Sequence, residues 1–247
     1  MRGLDLGPKD EVTAVSRPMD SPAPEPSVEG MKAIITGASR GLGLALATGL
    51  AEQGWSLVVD ARSADDLTSA AGWIGGDVTA LAGDIRDPAH RAALVEAAGE
   101  VDLLVNNAGI LGPSPQPRLA AYPVDVLRDV YEVNVFAPLA LTQLALPSLR
   151  ARDGAVVNVT SDAAVGGYEG WGGYGSAKAA LEQVSNVLAA EEPGLRVWRV
   201  DPGDLRTRMH QEAFPGEDIS DRPLPETVVP AFVKLVTERP PSGRISL

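Results

Sequence analysis

Short apolar runs alternate with longer stretches of helical periodicity along the 247-residue chain. Lys32–Thr36 is an apolar run that ends in Gly37-Ala38-Ser39-Arg40-Gly41-Leu42-Gly43. Leu42–Gln53 repeats its apolar residues at helical spacing and stops at Gly54, a residue suited to the position just past a helix. Leu57–Val59 reads as a second buried strand and Thr79–Ala82 as a third, closed by Gly83-Asp84. Asp87-Pro88 then opens a helix, with the aspartate as cap and the proline in the first turn. Val101–Val105 is a fourth strand, followed by Asn106-Asn107-Ala108-Gly109. One long helix is expected over Val124–Leu149, a fifth strand over Ala155–Thr160, a helix over Tyr174–Ala190 and a sixth strand over Arg196–Val200. A helix near Glu226–Thr237 and a strand near Arg244–Leu247 close the chain. Such alternation predicts an α/β fold: a doubly wound parallel sheet of about seven strands with helices on both faces. Ligands of such sheets bind outside the carboxyl ends of the strands. The glycine-rich and polar motifs sit there.

Composition narrows the function. A hydrophobic content of 45% supports one large core, assigned to a single domain over residues 31–247. Residues 1–30 are poor in apolar surface and hold Pro18, Pro22, Pro24 and Pro26, which predicts a disordered arm. Met31, directly before the first strand, is a candidate alternative start. A net charge of −12 argues against a nucleic-acid partner, because phosphate binding needs a basic face. The chain has no cysteine and two histidines, His90 and His210, so no disulfide and no metal site is expected. His210 reads as a surface residue. No apolar signal segment opens the chain. Val133–Leu146 is shorter than the ~20 residues of a membrane span and contains Asn134, Pro138 and Gln143. A cytoplasmic protein without a membrane partner is the expectation.

The chemistry begins at Tyr174-Gly175-Ser176-Ala177-Lys178. Residues four apart share a helix face, so a phenol and an ammonium are neighbours. Such a lysine should favour the phenolate and lower the tyrosine pKa from its ordinary value near ~10. A tyrosine so tuned can exchange a proton with an alcohol or carbonyl oxygen. Ser161, ending the fifth strand, can hydrogen-bond that oxygen as charge develops. Gly37, Gly41 and Gly43 allow close approach of a pyrophosphate to the start of the first helix, although their spacing differs from Gly-x-Gly-x-x-Gly. Alone, each motif is also explained by an ordinary helix face or glycine turn. Pro138 adds one further feature. In a regular helix residue 138 donates to the Asn134 carbonyl, and proline has no N–H. The Asn134 carbonyl is therefore expected to be free, and the helix kinked.

Taken in order, Thr36–Gly43, Asp84-Ile85, Asn106–Gly109, Asn134, Ser161, Tyr174–Lys178 and Pro202-Gly203 with Thr207 resemble the short-chain dehydrogenase/reductase family, over about Met31–Leu247. The resemblance implies a Rossmann-type sheet, a nicotinamide cofactor and hydride exchange with a small-molecule carbonyl or alcohol. It implies catalytic roles for Asn134, Ser161, Tyr174 and Lys178, with Asn134 holding a relay water through its carbonyl and Lys178 also bonding the nicotinamide ribose. Cofactor contacts are implied at Gly37, Ser39, Arg40, Gly41, Leu42 and Gly43 of the glycine loop. Asp84 and Ile85 would border the adenine, Asn106, Ala108 and Gly109 would pack the sheet and flank the cofactor, and Pro202, Gly203 and Thr207 would border the nicotinamide. The family position that discriminates the cofactors is Ala61, followed by Arg62. Arg62 and Arg40 favour NADP(H), since a guanidinium binds a 2′-phosphate bidentately. NAD(H) is the alternative if Asp60 turns its carboxylate to the ribose. Tyr168, Trp171, Met209 and Phe214, with Ser161, suggest a pocket for an apolar or aromatic carbonyl; Trp171 equally suits a subunit contact. The family commonly forms dimers through the helices near 124–149 and 174–190, and a homodimer is expected. A non-catalytic NADP(H)-binding sensor on the same fold is the second reading.

Overall fold

The computed structural model describes residues 30–247. The arm expected over residues 1–30 therefore lies, apart from Gly30, outside the described residues. Seven strands form one sheet: β1 (Lys32–Ile35), β2 (Ser56–Ala61), β3 (Val78–Ala82), β4 (Leu103–Asn106), β5 (Ala155–Val159), β6 (Arg196–Asp201) and β7 (Gly243–Ser246). Their order is β3-β2-β1-β4-β5-β6-β7, and every pairing is parallel. The helices are α1 (Gly41–Glu52), α2 (Ala64–Ile74), α3 (Pro88–Ala98), α4 (Val124–Tyr131), α5 (Ala137–Ala151), α6 (Gly172–Glu191), α7 (Arg208–Ala213) and α8 (Val229–Glu238). This is the doubly wound α/β architecture expected from the sequence.

The central strands β2, β1, β4 and β5 are largely apolar and buried because both faces are covered, while the edge strands β3 and β7 are half-buried or exposed. Successive side chains point to opposite faces, so Ala33 and Ile35 enter one core and Ile34 the other. The first core gathers Leu57, Val59, Val105, Val157 and Trp198 beneath α1, α2 and α8. The second gathers Val58, Leu104, Val156 and Val197 against Leu94 of α3 and Leu141 and Leu149 of α5. Full burial of each such aliphatic side chain contributes about 1.5–3 kcal/mol. The strand order reverses between β1 and β4, which opens a crevice at the carboxyl ends of the sheet.

Three local features differ from the sequence expectation. The helix expected over Val124–Leu149 is divided: α4 and α5 are joined by a π-helical stretch, Glu132–Phe136, in which the Ala137 N–H donates to the Glu132 carbonyl. This five-residue register is centred on Asn134, and Pro138 falls in the first turn of α5, where its missing N–H costs least. Helix α2 is an element the apolar pattern did not reveal, although Ser63 caps it by accepting from the Asp66 N–H at 3.2 Å and Asp65 and Asp66 lie in its first turn. Helix α7 is a short turn capped by Thr207, whose hydroxyl accepts from the His210 N–H at 3.1 Å.

Candidate active site

One cleft of about 1460 Å³ lies over the carboxyl ends of the strands. From the glycine turn it is lined by Gly37, Ser39, Arg40, Gly41 and Leu42, and from the exits of β2 and β3 by Arg62, Asp84 and Ile85. Ala108 and Gly109 line it after β4, and Pro202, Gly203 and Thr207 after β6. Ser161, Tyr174 and Lys178 line the same cleft, as do Tyr168, Trp171, Met209 and Phe214. Three expected site residues stand behind its wall: Gly43, Asn106 and Asn134.

Each of these three has an internal task instead. Gly43 is required by packing, since a Cβ there would come within 2.4 Å of the Gly37 carbonyl oxygen. Asn106 is buried; its amide donates to Asn158 Oδ1 at 2.8 Å and Thr142 Oγ1 at 3.2 Å. Of the Asn106–Gly109 run, expected to pack the sheet and flank the cofactor, Asn106 takes the packing role, while its neighbour Asn107 lines the cleft and donates to the carbonyls of Thr36 and Gly37 at 2.8 and 3.2 Å. Asn134 is fully buried, and its side chain pairs with the backbone of Ile110. Asn134 Nδ2 donates to the Ile110 carbonyl at 2.8 Å, while the Ile110 N–H donates to Asn134 Oδ1 at 3.1 Å. The π-helical register centred on Asn134 points that amide at the loop after β4.

Asp60 turns inward. Only 2% exposed, it accepts from the Gly37 N–H through Oδ1 at 2.7 Å, and its Oδ2 meets His90 Nε2 at 3.1 Å. Its backbone carbonyl accepts from the Ala38 N–H at 2.9 Å. The strand exit thus braces the glycine turn from below. The His90 ring in turn lies over Gly83, where a Cβ would stand 2.2 Å from Nδ1.

Just past the exit of β3, Arg86 is a cleft residue that sequence reasoning missed. It lines the cleft and grips Asp84, with Nε at 3.1 and 3.0 Å from the two carboxylate oxygens and Nη2 at 2.6 Å from Oδ2. Hydrogen bonding to Arg86 holds the Asp84 carboxyl below the usual range. The Asp-x-Arg spacing was the available signal.

Around Tyr174 and Lys178, burial dominates the electrostatics. Lys178 Nζ donates to the Val159 carbonyl at 2.8 Å and stands 5.5 Å from the centre of the Tyr174 ring. Burial lowers the Lys178 ammonium to about 8. Tyr174 is pushed upward, first by burial and then by the carboxylates of Asp201 and Asp162. The expectation of a lowered tyrosine pKa is thereby corrected: taking the phenol out of water outweighs a lysine whose ammonium stands 5.5 Å from the ring centre. Ser161 Oγ donates to Asp162 Oδ1 at 3.0 Å and accepts from the Ala163 N–H at 3.2 Å.

An aromatic wall adjoins Tyr174. Trp171 packs edge-on against Tyr174 and tilted against Phe214, each at 5.9 Å between ring centres. His210 packs against Phe214 at 4.9 Å with its side chain only 9% exposed, so it is not the surface residue expected. The cleft opens onto the start of α1, where Arg40, at the N-cap, carries no acceptor for the first-turn N–H groups, which leaves them for an anion such as a dinucleotide pyrophosphate.

The chain matches the short chain dehydrogenase family over residues 31–218. It is 32% identical over 222 residues to a benzil reductase of Saccharomyces cerevisiae that forms (S)-benzoin, covering 85% of this chain and 82% of that one. It is 35% identical over 181 residues to the serine 3-dehydrogenase of Agrobacterium fabrum, covering 70% and 72% respectively. Its backbone resembles that of a short chain dehydrogenase of Shigella flexneri solved in complex with NADP, with a TM-score of 0.80, 28% identity and coverage of 90% and 98%. Among the described residues no helix is long and apolar enough to cross a membrane. Agreement in sequence and in backbone together establishes that the chain belongs to the short-chain dehydrogenase/reductase family and is an NAD(P)-dependent oxidoreductase acting on alcohol and carbonyl groups.

Proposed function

We propose that this protein is an NADP(H)-dependent reductase of ketones or aldehydes that carry an aromatic or bulky apolar arm. The observation that carries the cofactor choice is the inward turn of Asp60. Asp60 borders the cleft, but it is only 2% exposed and each carboxylate oxygen is already bonded, to Gly37 and to His90, which favours its staying on the glycine turn; Ala61 and Arg62 follow it and Arg40 lines the same cleft. Two guanidiniums there suit a 2′-phosphate. The pyrophosphate would rest on the first-turn N–H groups of α1, and the nicotinamide end beside Pro202, Gly203 and Thr207. The bound cofactor supplies the hydride.

The protein's own residues supply the proton. Tyr174, held in the phenol form across the neutral range, is suited to donate to the carbonyl oxygen during reduction. Ser161 would turn its hydroxyl from Asp162 to that oxygen and stabilise the charge that develops there. Lys178 keeps most of its charge at pH 7 and lies between Tyr174 and the Val159 carbonyl, where it can orient the cofactor ribose. The Asn134 carbonyl has no N–H at residue 138 to meet, which supports a role in holding the water that returns a proton to this pair. Trp171, Phe214 and Met209 form the apolar side of the pocket, and a relative named for reducing an aromatic diketone favours this substrate class. Exposed Phe136 and Leu144 near and on α5, and Val187 on α6, support a homodimer through those helices.

The test is NADPH oxidation with a panel of aryl and alkyl carbonyls, run with wild type and Tyr174→Phe. Turnover by wild type, lost in Tyr174→Phe while NADPH binding persists, is the expected result. Retained turnover in the variant would refute Tyr174 as proton donor.

A further inference from the structure

We infer that Arg244, on the last strand of the sheet, is a positioning residue that ties the three elements of the reacting centre together. The inference rests on the proposed reading of Ser161 and Tyr174 as the reacting pair. Arg244 Nη2 donates to the Ser161 backbone carbonyl at 3.1 Å and to Asp201 Oδ2 at 2.8 Å, and Nε donates to Glu182 Oε1 at 3.0 Å. Each acceptor belongs to a different element. Ser161 follows β5, Asp201 ends β6 ahead of Pro202-Gly203, and Glu182 lies on α6.

Glu182 follows Lys178 by four residues, as Lys178 follows Tyr174, so all three occupy one face of α6. The network is closed at both ends. Thr160 Oγ1 donates to the same Glu182 oxygen at 2.7 Å, and Asp201 Oδ1 accepts from the Gly203 N–H at 3.1 Å. The Ser161 carbonyl also accepts from the Ala164 N–H at 3.0 Å, which sets the backbone that aims its hydroxyl. Both carboxylates are nearly buried, at 10% and 11% side-chain exposure. A guanidinium spreads its donors over separate nitrogens in a fixed plane, here Nε and Nη2, whereas the three donors of an ammonium sit on one nitrogen. Arg244 therefore sets the spacing between Ser161, the Tyr174 helix and the turn beside the nicotinamide.

Misplacing a reacting group by about 1 Å can cost about 100-fold in rate. Arg244→Gln should lower kcat by about 10–100-fold, with KM for the carbonyl and the dissociation constant for NADPH, read by fluorescence, moving far less. Arg244→Lys should recover only part of the loss. Asp201→Asn combined with Arg244→Gln should be no slower than Arg244→Gln alone, because the two residues act as one unit. Hydrogen exchange should quicken in residues 160–165 and 201–207 of Arg244→Gln. Unchanged kcat, full recovery by lysine, additive losses in the double variant, or unchanged exchange in those two segments would overturn the proposal. Failure of wild type to reduce any carbonyl would refute the catalytic reading instead, and the exchange data would still decide whether Arg244 holds the two segments.

Discussion

Asp60→Ala separates two readings of the second strand. In the structure the carboxylate braces the glycine turn through the Gly37 N–H at 2.7 Å and meets His90 at 3.1 Å. A hydrogen bond to a charged group is worth about 1.5–3 kcal/mol. If that energy orders the turn for the pyrophosphate, its loss weakens cofactor binding about 10–150-fold. The pyrophosphate is common to NADPH and NADH, so both should weaken by a similar factor. The melting temperature should also fall, by about 3–12 °C for a domain of this size. Fluorescence titration of the two cofactors against wild type and variant measures the ratio directly. A variant that keeps its NADPH affinity and loses only NADH would mean that Asp60 faces the ribose, and would refute the inward brace as the reason for NADP(H) preference.

Further outcomes follow from the same site. Lys178 titrates at about 8 in the fold against 10.5 ordinarily, so the unfolded chain binds more protons between these values. Stability should therefore rise as pH increases through that window, by at most about 1.4 kcal/mol per unit, and Lys178→Met should abolish the rise; an unchanged slope in the variant would refute the buried ammonium. Asn134→Ala leaves the Ile110 N–H and carbonyl unpaired at a cost of about 1–3 kcal/mol each, read as a lowered denaturation midpoint with an unchanged slope. Phe136→Glu should convert the proposed dimer to a monomer in light scattering, and an unaltered mass would remove that helix face from the contact.

The strands were legible because buried parallel strands are short apolar runs, and the glycine, Ser161 and Tyr174 motifs fall at their ends as that topology requires. Helix α2 was not, since its apolar residues are sparse and its evidence lay in the Ser63 cap. Periodicity also passed over the π-helical stretch, because one additional residue in a turn hardly alters an apolar pattern. Side-chain direction at a strand exit is not written in the residue type, so Asp60 remained open between ribose and glycine turn. The sign of the Tyr174 shift is not legible in the sequence, because spacing gives the neighbour and not the depth. Arg244 and Ser161 are 83 residues apart in sequence, and only the closing strand of the sheet brings them together.

Asn134 gives the loop after β4 what a neighbouring strand would have given it. Its amide accepts from one peptide group and donates to another on Ile110, in the manner of a single β-bridge supplied by a side chain. The wall of the cleft at Gly109–Leu111 is therefore coupled to the α4–α5 rod as well as to the sheet. That rod bears the exposed Phe136 on the surface of the protein. Two hydrogen bonds from one side chain thus join that helical stretch directly to the pocket wall.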